Sequence, residues 1–133
     1  MATGVEGIVE VLPQFADGLK DLEGFDRIWL LFCFHRSMGP QLLVKPPFDP
    51  EHLHGVFATR SPNRPNAIGM SCVRLKRVQG NMLCVSDVDM LNGSPLLDIK
   101  PYVPQADSFE VTRIGWLEGK DLNPPVDDSA TCT

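Results

Sequence analysis

Short apolar runs rich in β-branched or aromatic residues alternate along this chain with clusters of Gly, Pro, Asn and Asp, a rhythm that favours strands over helices. The runs are Gly7–Val11, Arg27–Phe34, Gly55–Thr59, Ile68–Gln79, Met82–Asp87, Pro95–Ile99 and Phe109–Trp116. Within Val73–Val78 the order Val, Arg, Leu, Lys, Arg, Val nearly alternates, so Arg74 and Lys76 share the wet face of a half-buried strand. Gln79-Gly80-Asn81 has the composition of a tight hairpin turn, because Gly and Asn tolerate positive φ. Only Pro13–Glu23 has helical spacing, with Phe15, Leu19 and Leu22 on one side. Many strands and one short helix predict an all-β chain, a small single-domain β-barrel, closed or nearly closed and so without exposed edges. The barrel domain is expected over residues 1–118, and the polar, Pro-rich stretch 119–133 reads as a loose extension.

A length of 133 residues suits one domain, and 43% hydrophobic with 22% charged residues is the balance of a soluble globular protein. The longest apolar block, Ile28–Phe34, has the length of a buried strand and not of a membrane span. MATGVEGIVEV lacks a basic stretch followed by an apolar region, so no secretory signal is expected and a cytoplasmic location is. Cys33, Cys72, Cys84 and Cys132 form no CxxC pair and are expected to be reduced thiols, mostly packed as small hydrophobes. A net charge of −5 argues against nucleic-acid binding through the overall field but leaves room for a local basic patch.

Three segments could carry chemistry. Ala58–Gly69, ATRSPNRPNAIG, follows a strand and is a rigid polar loop: its prolines fix φ, and Arg60 and Arg64 carry guanidinium forks suited to carboxylate or phosphate. Its composition equally allows a plain connection whose arginines pair with nearby acids. In Phe34-His35-Arg36 an apolar run ends in a titratable group and a cation, and His35 is a candidate proton acceptor or ligand clamp. In Asp87–Tyr102, Asn92-Gly93 marks a turn, and Asp89 or Asp98 is placed to accept hydrogen bonds, although acids beside turns commonly do no more than cap them. His52 and His54 have i, i+2 spacing without a convincing third ligand, so no metal site is expected.

Taken together and in this order, DLEGFDRIWLLFCFHR, GVFATRSPNRPNAIGMS and DMLNGSPLLDIKPYVPQADS resemble the TsaA-like or TrmO family, the tRNA methyltransferase O proteins. The resemblance runs from about Gly7 to Ser108. It implies a small β-barrel, usually a homodimer, that binds S-adenosyl-L-methionine near the subunit interface and methylates N6 of threonylcarbamoyl-adenosine next to the anticodon of threonine tRNA. Carried over by motif, His35, Arg36, Arg60, Met70 and Asp89, Met90, Leu91 and Asn92 become cofactor contacts. Arg64, Asn66 and Lys100 become candidates for tRNA contact, and His35, Asp98 and Tyr102 for the proton acceptor. Family members usually begin with a further strand carrying a Pro-Arg-Gln cofactor contact, of which MATGVEGIVEV has no equivalent, and some bacterial relatives have an extra C-terminal domain. That difference keeps two other expectations in view, a cofactor-binding or regulatory barrel without methyl transfer and a structural dimerisation domain.

Overall fold

The computed structural model describes residues 4–90 and 92–122. Its centre is a five-stranded antiparallel sheet of β1 (Glu6–Glu10), β2 (Arg27–Cys33), β5 (Ile68–Gln79), β6 (Met82–Ser86) and β7 (Leu96–Pro101), in the order β1-β6-β5-β2-β7. A two-stranded ribbon, β3 (Leu43–Val44) with β4 (His54–Gly55), stands apart from it.

The long strand β5 organises the sheet by serving two partners. Its first half pairs with β2, from Ile68 opposite Cys33 to Arg74 opposite Arg27. Its second half pairs with β6, from Arg74 opposite Ser86 to Gln79 opposite Met82, with an irregularity between Leu75 and Arg77. The expected hairpin is present, and Gly80 at its tip has φ +60°, which glycine adopts without steric cost. The two-residue period decides which face is buried. Ile28, Leu30 and Phe32 of β2 and Gly69, Ser71 and Val73 of β5 point inward, while Trp29, Leu31, Met70 and Arg74 point outward. Ile28, Leu30, Val73, Leu83 and Val85 are fully buried and pack with Leu19, each such side chain contributing about 1.5–3 kcal/mol of transfer free energy.

The chain is mostly sheet, as expected, but no sheet closes into a barrel: β1 and β7 are edges. They are protected locally instead. β1 is five residues long and ends in Glu6 and Glu10, and β7 carries Asp98, Lys100 and Pro101, features that discourage pairing with another edge.

Three expected elements take other forms. Pro13–Glu23 is not one helix but two 3₁₀ turns, Pro13–Leu19 and Leu22–Gly24, interrupted where Asp21 is left-handed at φ 69°. Of that stretch only Leu19 is buried, too little apolar surface to hold a longer helix. Gly55–Thr59 is a strand only at Gly55, because the Thr59 amide and hydroxyl both donate to the Val56 carbonyl and close a turn over Val56–Ala58. Phe109–Trp116 joins no sheet, and its Phe109, Val111 and Ile114 remain exposed. A periodic apolar run becomes a strand only where it pairs with a neighbour, and this one pairs with neither edge of the sheet. Cys33 and Cys72 are free thiols, whereas Cys84 is disulfide-bonded, a departure from four reduced cysteines that no CxxC or paired spacing announces.

Candidate functional site

Three loops converge where β2 ends and β5 and β7 begin. Strand ends knit them together: the Phe34 amide donates to the Ala67 carbonyl at 2.8 Å and the Cys33 amide to the Pro95 carbonyl at 2.9 Å. A concavity of about 360 Å³ opens between them. The loop after β2 supplies Phe34, Arg36 and Ser37, and the Pro-rich loop before β5 supplies Pro62. The loop after β6 supplies Val88, Asp89, Met90 and Ser94. The wall is therefore amphiphilic, with one cation, one acid and two hydroxyls set among four apolar side chains, and its size falls in the range of small-ligand pockets.

Asp87 sets the direction of the third loop. It is left-handed at φ 64°, a conformation that Asp tolerates better than most residues, and so turns the chain out of β6. Its Oδ1 accepts the Gly4 amide at 2.8 Å and its Oδ2 faces Arg27 Nη2 at 2.9 Å. These contacts, the Gly4 hydrogen bond first and the Arg27 guanidinium next, hold the Asp87 carboxyl below its ordinary range.

The Pro-rich loop is braced from within. Arg64 is half-buried, and its Nη1 donates to the Thr59 carbonyl at 2.8 Å and the Ser61 carbonyl at 3.2 Å, while its guanidinium lies over Phe57. Asn63 Oδ1 accepts from the Met38 amide at 3.1 Å and from Ser37 Oγ at 3.3 Å, and the Asn63 carbonyl accepts the Gln41 amide at 2.9 Å. Asn63 and Asp87 were not among the residues singled out from the sequence. The available signal was a short acceptor side chain at the edge of a turn, which is too common to stand alone.

Of the expected cofactor contacts, Arg36, Asp89 and Met90 line the concavity. His35 is exposed in the turn beside them and does not line it. Arg60 is exposed at the base of the Pro-rich loop, and Met70 stands on the outer face of β5 opposite Leu31. Asn92 is exposed in a turn next to Gly93, and Leu91 lies outside the described residues. Among the expected tRNA contacts, Asn66 is exposed, Arg64 is committed to its own loop and Lys100 pairs with Asp98 at 2.9 Å.

The candidate proton acceptors do not gather in the concavity. Asp98 sits opposite Leu31, on the outer side of the sheet, and its Lys100 contact holds the carboxyl below the ordinary range, which weakens it as a base. Tyr102 packs against Trp29 with ring centroids 5.9 Å apart, near the other end of β2.

His52 and His54 flank one carboxylate, with Asp49 Oδ1 2.8 Å from His52 Nδ1 and Oδ2 2.8 Å from His54 Nε2. Among the described residues no group of three or more His, Cys, Asp or Glu is arranged to hold a metal. The cluster instead ties the chain's later part to the Pro-rich loop. Trp116 stacks on His54 at 4.4 Å and donates from Nε1 to the Ala58 carbonyl at 2.8 Å, two residues before Arg60.

The fold is an antiparallel β domain with an amphiphilic concavity of small-ligand size on its connecting loops. Residues 1–108 match the tRNA-methyltransferase O N-terminal domain, and the chain belongs to that family. It is 57% identical over 117 residues to a probable S-adenosyl-L-methionine-binding protein of Pyrococcus abyssi, covering 88% of this chain and 63% of the relative. It is 45% identical over 101 residues to the tRNA (adenine(37)-N6)-methyltransferase of Escherichia coli, covering 71% of this chain and 43% of that enzyme. The crystal structure of TrmO from Pseudomonas aeruginosa superposes with a TM-score of 0.70 at 41% identity, over 86% of this chain and 50% of that one. This chain thus spans less than two thirds of the length of each of these relatives.

Proposed function

We propose that the concavity between the three loops binds S-adenosyl-L-methionine and that the protein methylates N6 of an adenosine next to the anticodon of tRNA, in its threonylcarbamoyl-modified form on threonine tRNA. The observation that carries the reading is the placement of Arg36, Asp89 and Met90, three residues from two separate family motifs, around one pocket. The donor set suits this cofactor. Arg36 is a guanidinium fork for a carboxylate, Asp89 is an acceptor for ribose hydroxyls or an ammonium, and Phe34, Val88 and Met90 offer apolar cover for an adenine ring. When bound, the cofactor supplies an electrophilic methyl group on a sulfonium. The task of this chain's residues is to hold the reactants in line, an effect that lowers barriers by several kcal/mol without covalent catalysis.

The same reading includes a homodimer. Arg60 and Met70, expected cofactor contacts by motif, do not line the pocket of their own chain, and a second copy offers the route by which residues on the outer face reach a cofactor. The test is transfer of labelled methyl from S-adenosyl-L-methionine to threonylcarbamoyl-modified threonine tRNA. Transfer is expected, and its absence despite cofactor binding would favour a second reading, a cofactor-binding domain without methyl transfer. That reading draws its support from Asp98 and Tyr102, which stand away from the pocket.

A further inference from the structure

Two of the three loops that line the pocket, the loop after β2 and the Pro-rich loop, are bridged by one side chain. Arg36 and Ser37 line it from the loop after β2, and Pro62 lines it from the Pro-rich loop. Asn63, next to Pro62, reaches the first loop through both its side chain and its backbone: its Oδ1 takes the Met38 amide and the Ser37 hydroxyl, and its carbonyl takes the Gln41 amide. The Met38 bond at 3.1 Å is the better of the two side-chain contacts, the Ser37 contact at 3.3 Å being long for a hydroxyl. The loops are stiffened on either side of the bridge. Ser37 Oγ also accepts the Gly39 amide at 3.2 Å, and Ser61 Oγ accepts the Asn63 amide at 3.2 Å. These two side-chain bonds join residues 35–41 to residues 58–67. Both side-chain bonds use the acceptor half of the amide, so the chemistry required at this position is a short carbonyl-type oxygen.

We infer that Asn63 is a positioning residue for the cofactor pocket: it latches the Ser37–Met38 turn to the Pro-rich loop and thereby sets the spacing of Arg36 from Pro62. The inference rests on the cofactor reading above. Its energetic basis is preorganisation, since a wall already held in its binding shape loses less conformational freedom when the ligand arrives. Asn63 itself does not line the pocket, so it acts through Arg36 and Ser37 and not by touching the ligand.

The experiment compares the parent chain with Asn63→Ala and Asn63→Asp, measuring S-adenosyl-L-methionine affinity by calorimetry and Met38 amide hydrogen exchange in the ligand-free protein. Asn63→Ala is expected to weaken binding roughly tenfold, the scale of one or two lost hydrogen bonds, and to speed exchange at Met38. Asn63→Asp keeps the acceptor oxygen and is expected to stay within about threefold of the parent on the same scale. In a methylation assay the Asn63→Ala effect falls on KM for the cofactor, with kcat at saturation retained. Equal affinity in parent and Asn63→Ala, or equal loss in Asn63→Ala and Asn63→Asp, would overturn the inference. If the parent itself bound no cofactor, the functional reading would fall, and unchanged Met38 exchange in Asn63→Ala would separately remove the latch.

Discussion

Asp49 shows how much a single side chain can organise on this surface. Hydrogen bonds with His52 and His54, aided by the charge of Lys120, lower its carboxyl from the ordinary 3.8 to about 2. A carboxyl depressed in the folded state stabilises the fold above its unfolded pKa and loses that contribution as the pH falls through the folded value. Asp49→Asn is therefore expected to melt lower than the parent at neutral pH, with the gap narrowing as the pH falls from about 4 through 2; a gap that did not narrow over that range would contradict the assignment. His52 and His54 were visible in the sequence as a spaced pair, but their shared partner was not, because Asp49 is an ordinary loop acid until the chain folds. Arg64 makes the converse point. Its residue type suggests an outward-facing cation, yet carbonyls three and five residues away in its own loop region take up the guanidinium.

At the scale of elements, β5 couples the core to the pocket through Gly69. A Cβ built there would lie 2.5 Å from Phe32 Cζ and 2.8 Å from Phe34 Cζ, and Phe32 is buried with little room to yield. The two rings pack edge to face with centroids 5.3 Å apart, and Phe34 is also a wall of the pocket. Gly69→Ala is expected to destabilise the fold by about 1–3 kcal/mol and to weaken ligand binding with it, measurable by denaturant unfolding and calorimetry. An unchanged midpoint would contradict this packing. Strands whose alternation is backed by a sheet partner were legible: Ile68–Gln79 is found over the expected residues, and the turn at Gly80 closes the expected hairpin. Val56–Ala58 and Phe109–Trp116 were not legible, because local composition does not say whether a partner strand or a side-chain acceptor will take the backbone amides.

For the whole molecule, the outer face of the sheet carries the question of assembly. Ile68 and Met70 are about half exposed there, 49% and 47%, beside Leu31 and Trp29. The homodimer reading predicts that the parent sediments as a dimer and that Met70→Glu shifts it toward monomer and weakens cofactor binding in step. A monomeric parent, or a dimer indifferent to Met70→Glu, would speak against it. The expected barrel rested on strand count and on the family resemblance, neither of which fixes whether the first and last strands of this chain meet; here they lie on opposite edges of an open sheet. The order of the motifs in the sequence, by contrast, carried over to space, since the loops after β2, before β5 and after β6 share one concavity. Titration of S-adenosyl-L-methionine into the full chain, with Arg36→Ala in parallel, tests that shared site most directly. Saturable binding by the parent that weakens about tenfold or more in Arg36→Ala is the predicted result, on the scale of a lost hydrogen bond to a charged group; no binding, or equal affinity in the two proteins, would contradict it.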